Sequence, residues 1–152
     1  MTCCIVGHRD APKTAIFKRK IEDICVQLIQ RGVNVFLIGS IGNFNSLVLS
    51  CLRELKTKVE IPFSIEYVRA EYEYIDDDYT QYLLNIYDKT YMPDCVKKAN
   101  RAVYIVRNQY MIDNSDICLF YYNSNKTGKS GTRMSYLYAS KKGKEIINLY
   151  DI

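Results

Sequence analysis

The chain has no tryptophan, one histidine, no C-x-x-C pair and no apolar run long enough to cross a bilayer. Each absence removes a class of function. A membrane helix needs about 18 uninterrupted apolar residues, so no membrane partner is expected. Met1 leads straight into an apolar, strand-like segment without a signal-peptide pattern, which sets a cytoplasmic location as the expectation. The six cysteines (Cys3, Cys4, Cys25, Cys51, Cys95 and Cys118) are scattered, mostly within apolar runs. Structural zinc needs clustered thiolate or imidazole ligands, so neither a metal nor any other cofactor is expected. The thiols read as reduced and buried. Adjacent Cys3 and Cys4 would point to opposite faces of a strand.

A concentrated basic stripe is also missing. The formal charge of +4 is mild and mixed in sign, which permits an anionic ligand but ranks nucleic acid as an unlikely partner. There is no low-complexity tract, internal repeat, or linker rich in Pro, Gly or Ser, and 152 residues suit one α/β core. Residues 1–152 are therefore expected to form a single domain. Fourteen tyrosines serve cores, interfaces and base stacking alike.

The order of elements is more informative. Thr2 to Val6 reads as a buried strand broken by Gly7-His8-Arg9-Asp10. Apolar residues Ile16, Phe17, Ile21, Ile24, Cys25, Leu28 and Ile29 then recur at helical spacing up to Gly32. Asn34 to Ile38 is a second strand, followed by Gly39-Ser40-Ile41-Gly42-Asn43-Phe44-Asn45 and a helix carrying Leu47, Val48, Cys51, Leu52 and Leu55. Ile61 to Val68 reads as a third strand with Pro62 near its start. The acidic, tyrosine-rich stretch from Glu66 to Asp88 holds a turn or helix start at Asp76-Asp77-Asp78. Lys97 to Asn114 is helical in pattern, although Val103 to Val106 also suits a short strand. Ile117 to Tyr122 is a strand, Asn123 to Gly131 a polar loop, Met134 to Ala139 a helix ended by Gly143, and Ile146 to Leu149 a last strand. Such alternation predicts an α/β fold: a three-layer Rossmann-like sandwich around a mostly parallel sheet of about five strands.

In open parallel sheets ligands bind at the C-terminal strand ends, where helix N-termini present unpaired amides. The glycines stand there. Gly39-x-x-Gly42 precedes a helix, and Gly128-Lys129-Ser130-Gly131-Thr132 adds a cation and two hydroxyls before another, with Ser130 or Thr132 able to cap it. Neither the G-x-x-x-x-G-K-[ST] order nor the G-x-G-x-x-G fingerprint occurs, so a P-loop and hydride transfer with NAD are unsupported. Arg9 could fork onto a phosphate or carboxylate. His8 lacks a serine or cysteine partner at recognisable spacing and reads as structural, and no catalytic residue is assigned. Arg107 and Met111 share one side of their helix at i and i+4, beside Asn108.

Taken together, these segments resemble the YpsA-like branch of the SLOG superfamily, Rossmann-like domains related to the cytokinin-activating phosphoribohydrolases and the DNA-processing protein A family. The resemblance covers most of the chain. It is carried by the opening run through Gly7-His8-Arg9, by Gly39 to Asn45, by Arg107-Asn108-Gln109-Tyr110-Met111-Ile112-Asp113, and by Gly128 to Thr132. It implies a pocket for a nucleotide or nucleotide-derived molecule formed by Gly7, His8, Arg9, Gly39, Ser40, Gly42, Asn43, Phe44, Asn45, Arg107, Asn108, Met111 and Gly128 to Thr132, in a sensor or binding domain that could form a homodimer. The hydrolase branch adds a glutamate shortly after the Gly-Thr pair, and this chain continues Arg133-Met134-Ser135-Tyr136 without one. The enzyme alternative, a nucleotide N-glycosidase, would draw its acid from Asp10, Asp113, Glu71 or Glu73. Single-stranded DNA binding ranks third.

Overall fold

A computed structural model describes residues 1–39, 42–128 and 130–152. Its centre is a six-stranded sheet: β1 (Thr2–Gly7), β2 (Val35–Ile38), β3 (Ser64–Val68), β4 (Lys89–Tyr91), β5 (Ile117–Tyr121) and β6 (Glu145–Asn148), in the order β4-β3-β2-β1-β5-β6. All five pairings are parallel, with Thr2 opposite Val35 and Cys4 opposite Cys118. The expected sheet of about five strands gains one member. β4 is a three-residue edge strand too short to show a periodicity.

Helices α1 (Ala15–Gln30), α2 (Asn43–Lys58), α3 (Asp77–Leu84), α4 (Asp94–Lys97), α5 (Val103–Asp113) and α6 (Gly131–Lys141) fill the connections. The strand alternation decides the layers. Cys3 and Ile5 face one core cluster with Ile21, Leu28, Val48 and Leu52 of α1 and α2. Cys4 and Val6 face the other, with Met111 and Ile112 of α5 and Ala139 of α6. Each fully buried large side chain contributes about 1.5–3 kcal/mol relative to its exposed state, so these two faces hold the sandwich together.

Local signals set the element ends. Thr14 caps α1 by accepting from the Phe17 amide at 3.2 Å, and Ser130 caps α6 by accepting from the Arg133 amide at 3.0 Å. Val103 to Val106, compatible with a short strand on sequence alone, is the first turn of α5. The helix expected over 97–114 is divided into α4, a 3-10 turn at 100–102, and α5. β3 begins at Ser64, so Pro62 precedes the strand. Among the described residues, no helix is long and apolar enough to cross a membrane, and no group of three histidine, cysteine or acidic residues could hold a metal ion.

Candidate functional site

β1 lies where the sheet order reverses, between β2 and β5. The connections leaving the C-terminal ends of β1 and β5 therefore diverge and leave a crevice between them. A cleft of about 510 Å³ opens there, lined by Gly7 to Asp10 after β1, Asn45 of α2, Tyr104, Arg107 and Asn108 of α5, Lys126, and Ser130 to Thr132 at the start of α6.

Arg107 is the principal cation of the cleft wall and is 5% exposed. Its Nε donates to Asn108 Oδ1 at 2.9 Å and one terminal nitrogen donates to the Val68 carbonyl at 3.1 Å. Among the described residues no carboxylate lies within ion-pair distance of it. Burial lowers its pKa from the ordinary value, opposed by the field of Tyr67, Tyr104 and Glu71, yet a guanidinium keeps its charge in proteins. Holding an unmatched buried charge costs several kcal/mol. Asn108 holds the arginine from one side and donates from Nδ2 to Ser135 Oγ at 3.2 Å, tying α5 to α6. Tyr104 stands one turn earlier on the same face, its ring centroid 5.7 Å from the guanidinium carbon.

Gly39 explains how the arginine fits. A β-carbon there would lie 2.6 Å from an Arg107 terminal nitrogen and 2.7 Å from the guanidinium carbon. Gly7 is constrained in the same way by Phe44, whose ring would come within 2.2 Å of an added β-carbon.

The opposite wall is a helix N-terminus. The first four amides of an α-helix have no intrahelical acceptor, and the Ser130 hydroxyl takes only that of Arg133. The amides of Gly131 and Thr132 remain at the cleft wall, where the helix dipole favours an anion. At the rim Lys126 pairs with Asp10 at 2.9 Å; both side chains are largely exposed, and the ammonium holds the Asp10 carboxyl below its ordinary range.

His8 is buried, and its Nε2 accepts from the Asn123 amide at 3.1 Å. That bond places the neutral ring's proton on Nδ1. Burial, aided by the Lys126 cation and opposed by Asp10, lowers its pKa. The imidazole fastens the loop after β5 to the end of β1.

A family model for YpsA, the YspA SLOG family, matches residues 4–152. The chain belongs to the YpsA SLOG family. No curated protein matches it significantly. Among solved structures, the structural-genomics target TM1055 aligns with a TM-score of 0.54 and 16% identity, over 96% of this chain and 72% of that one. DNA processing protein A from Helicobacter pylori, described in a single-stranded DNA binding mode, aligns with a TM-score of 0.58 and 17% identity, over 96% of this chain and 63% of that one. At such identities the likeness is one of fold.

Of the residues this YpsA-family sequence nominated, Gly7, His8, Arg9, Asn45, Arg107, Asn108, Ser130, Gly131 and Thr132 converge on the cleft. Gly39 lies beneath the guanidinium. Gly42 and Asn43 support the β1 loop: Gly42 has φ +103°, which suits glycine, and the Asn43 amide donates to the Arg9 carbonyl at 3.0 Å. Phe44 and Met111 are placed elsewhere, packed in the two core clusters at 0% and 1% exposure. On α5 the cleft takes the face of Tyr104, Arg107 and Asn108, and Met111 turns onto the sheet. Gly128 is not among the lining residues. Ser40 and Lys129 lie outside the described residues.

Tyr104 and Lys126 line the cleft without having been singled out from sequence. The i, i+3 spacing of Tyr104 from Arg107 was the available signal for the first; Lys126, in a polar loop, carried none. The candidate acids also separate. Asp10 is at the rim and Glu71 accepts from the Tyr104 hydroxyl at 2.7 Å. Asp113 lies six residues beyond Arg107, about 9 Å along the helix, where it accepts from the Tyr138 hydroxyl. Glu73 does not line the cleft.

Proposed function

We propose that this YpsA-family chain holds an anionic nucleotide or nucleotide-derived ligand in the β1–β5 cleft, as a binding or sensing domain. One observation carries the reading: Arg107 is buried, fixed by Asn108 and Val68, and without a carboxylate partner among the described residues. A phosphate placed between it and the Gly131 and Thr132 amides supplies the missing charge and accepts a fork of N–H donors. Arg9 adds positive potential at the mouth, where Lys126 is already paired with Asp10.

The reading is of holding, not cleaving. Asp113 is remote from Arg107, Asp10 is engaged with Lys126, and Glu71 is engaged with Tyr104. Incubation with nucleoside monophosphates is expected to release no free base on chromatography; release would transfer the site to the N-glycosidase class.

Calorimetric titration against nucleoside mono- and diphosphates, ADP-ribose and cyclic nucleotides tests the binding. Heat with the wild type, lost in a folded Arg107→Leu variant, is the expected result. No heat from any member of the panel removes the basis of the proposal.

A second reading is favoured by the fold-level likeness to DNA processing protein A, which is described in a single-stranded DNA binding mode. It predicts an oligonucleotide affinity that falls steeply with salt, because each phosphate contact releases counterions. A mononucleotide that competes fully with the oligonucleotide would bring both readings to the same cleft.

A further inference from the structure

A second, smaller cavity of about 100 Å³ lies over the end of β3, between Tyr67, Arg69, Glu71, Tyr72, Ile75 and Tyr79. A cavity of this size admits only part of a planar heterocycle, so a base would enter it edge-first with the rest of the ring across its mouth. One tyrosine separates it from the main cleft. Tyr104 lines that cleft while its hydroxyl donates to Glu71 on the wall of the second cavity. Val68, whose carbonyl holds Arg107, is followed directly by Arg69. A ligand anchored by phosphate at Arg107 thus meets this cavity next, across the strand ends.

The cavity's chemistry is asymmetric. Arg69 donates from one terminal nitrogen to the Tyr72 carbonyl at 2.7 Å, and its buried Nε has no acceptor among the described residues. Glu71 takes one donor, the Tyr104 hydroxyl, on Oε1, and a carboxylate has about four lone-pair sites. Tyr72 and Tyr79 are 64% and 41% exposed, leaving aromatic surface on which a base can stack. Tyr67 forms a buried floor, packed on Tyr87 at 4.9 Å between ring centroids.

We propose that this cavity is the base subsite of the ligand bound in the main cleft, and that it selects guanine. This rests on the nucleotide reading of the cleft and adds its specificity. Guanine alone among the common bases offers adjacent N1–H and N2–H donors for a carboxylate fork together with adjacent O6 and N7 acceptors for an arginine fork. Adenine turns the N1 lone pair toward the carboxylate, and hypoxanthine lacks the N2 amine. Glu71 reads the donor edge, Arg69 the acceptor edge, and the tyrosines supply the stacking face.

The experiment is calorimetric titration of the full chain with guanosine, inosine and adenosine 5′-monophosphates and with inorganic phosphate, using wild type, Glu71→Gln and Arg69→Lys. The amide introduced by Glu71→Gln can still accept from the Tyr104 hydroxyl, and thermal melts confirm folding of both variants. The wild type is expected to bind the guanosine nucleotide at least about tenfold more tightly than the adenosine one, the worth of a bidentate base contact, with inosine between them. Glu71→Gln should abolish that preference while leaving inorganic phosphate binding unchanged, and Arg69→Lys should narrow it. Equal binding of the nucleotides by wild type, or a preference that survives Glu71→Gln, overturns the base subsite and leaves the cleft proposal standing. Absence of binding by every nucleotide and by phosphate overturns both.

Discussion

Replacing Gly39 by alanine tests the central feature of the site, because the added methyl lands where the Arg107 guanidinium now lies. The β-carbon would sit 2.6 Å from a terminal nitrogen and 2.7 Å from the guanidinium carbon. Ordinary contacts are about 3.5–4.0 Å, so the guanidinium must retreat by about 1 Å. A retreat of that size breaks the 3.1 Å bond to Val68 and strains the 2.9 Å bond to Asn108. Hydrogen bonds to a charged group contribute about 1.5–3 kcal/mol each. Release of the guanidinium into the open cleft restores part of that through solvation, leaving a net loss of about 1–3 kcal/mol. At this length each kcal/mol lowers the melting temperature by about 2–4 °C. The chain has no tryptophan, so urea unfolding is best followed by circular dichroism. The decisive comparison is a double-mutant cycle with Arg107→Leu, which deletes the clashing atoms. In that background Gly39→Ala should cost less than about 0.5 kcal/mol, within the additivity error of independent sites. An equal cost in both backgrounds would refute the claim that Gly39 exists to admit Arg107.

Other outcomes follow from the same geometry. Gly7→Ala drives a methyl into the buried Phe44 ring and should destabilise the fold by about 3 kcal/mol or more, read by urea denaturation, since overpacking a rigid core allows little relaxation. Asn108→Ala removes the partner of Arg107 Nε and of Ser135, and should weaken nucleotide binding by calorimetry far more than Ser135→Ala does. His8 has a lowered folded-state pKa, so its stability contribution is complete above its unfolded value of about 6.5 and is lost as pH falls through the folded value. The urea midpoint should therefore drop between about pH 7.5 and about pH 5.5 by more in the wild type than in His8→Gln, whose amide oxygen can still accept from Asn123. Native thiol titration should modify Cys95 alone, because the other five cysteines are buried and burial pushes the Cys3 and Cys25 thiols up.

Much of the architecture was legible because alternation and helical spacing are strong where both faces of an element are decided. Cys3 and Cys4 do face opposite layers, and Ser130, one of the two capping candidates, caps α6. β4 was hidden because Lys89 is exposed, Thr90 and Tyr91 are half-buried, and the strand is joined to the sheet by only one neighbour. The first turn of α5 was ambiguous because four successive apolar residues fit either a strand or a helix packed on two sides. At the site, spacing showed that Arg107 and Met111 share a side of the helix but not where the cleft ends and the core begins. The role of Gly39 depends on a residue 68 positions later in the chain, a close approach that no local pattern encodes.

Amide and arginine-side-chain NMR during titration with guanosine 5′-monophosphate tests the cleft most directly. Shifts should concentrate at Gly7, His8, Arg9, Gly131, Thr132 and the Arg107 Nε–H, and all should be lost in an Arg107→Leu variant whose own spectrum stays dispersed. Shifts confined to another surface, or none at millimolar nucleotide, would contradict nucleotide binding at Arg107.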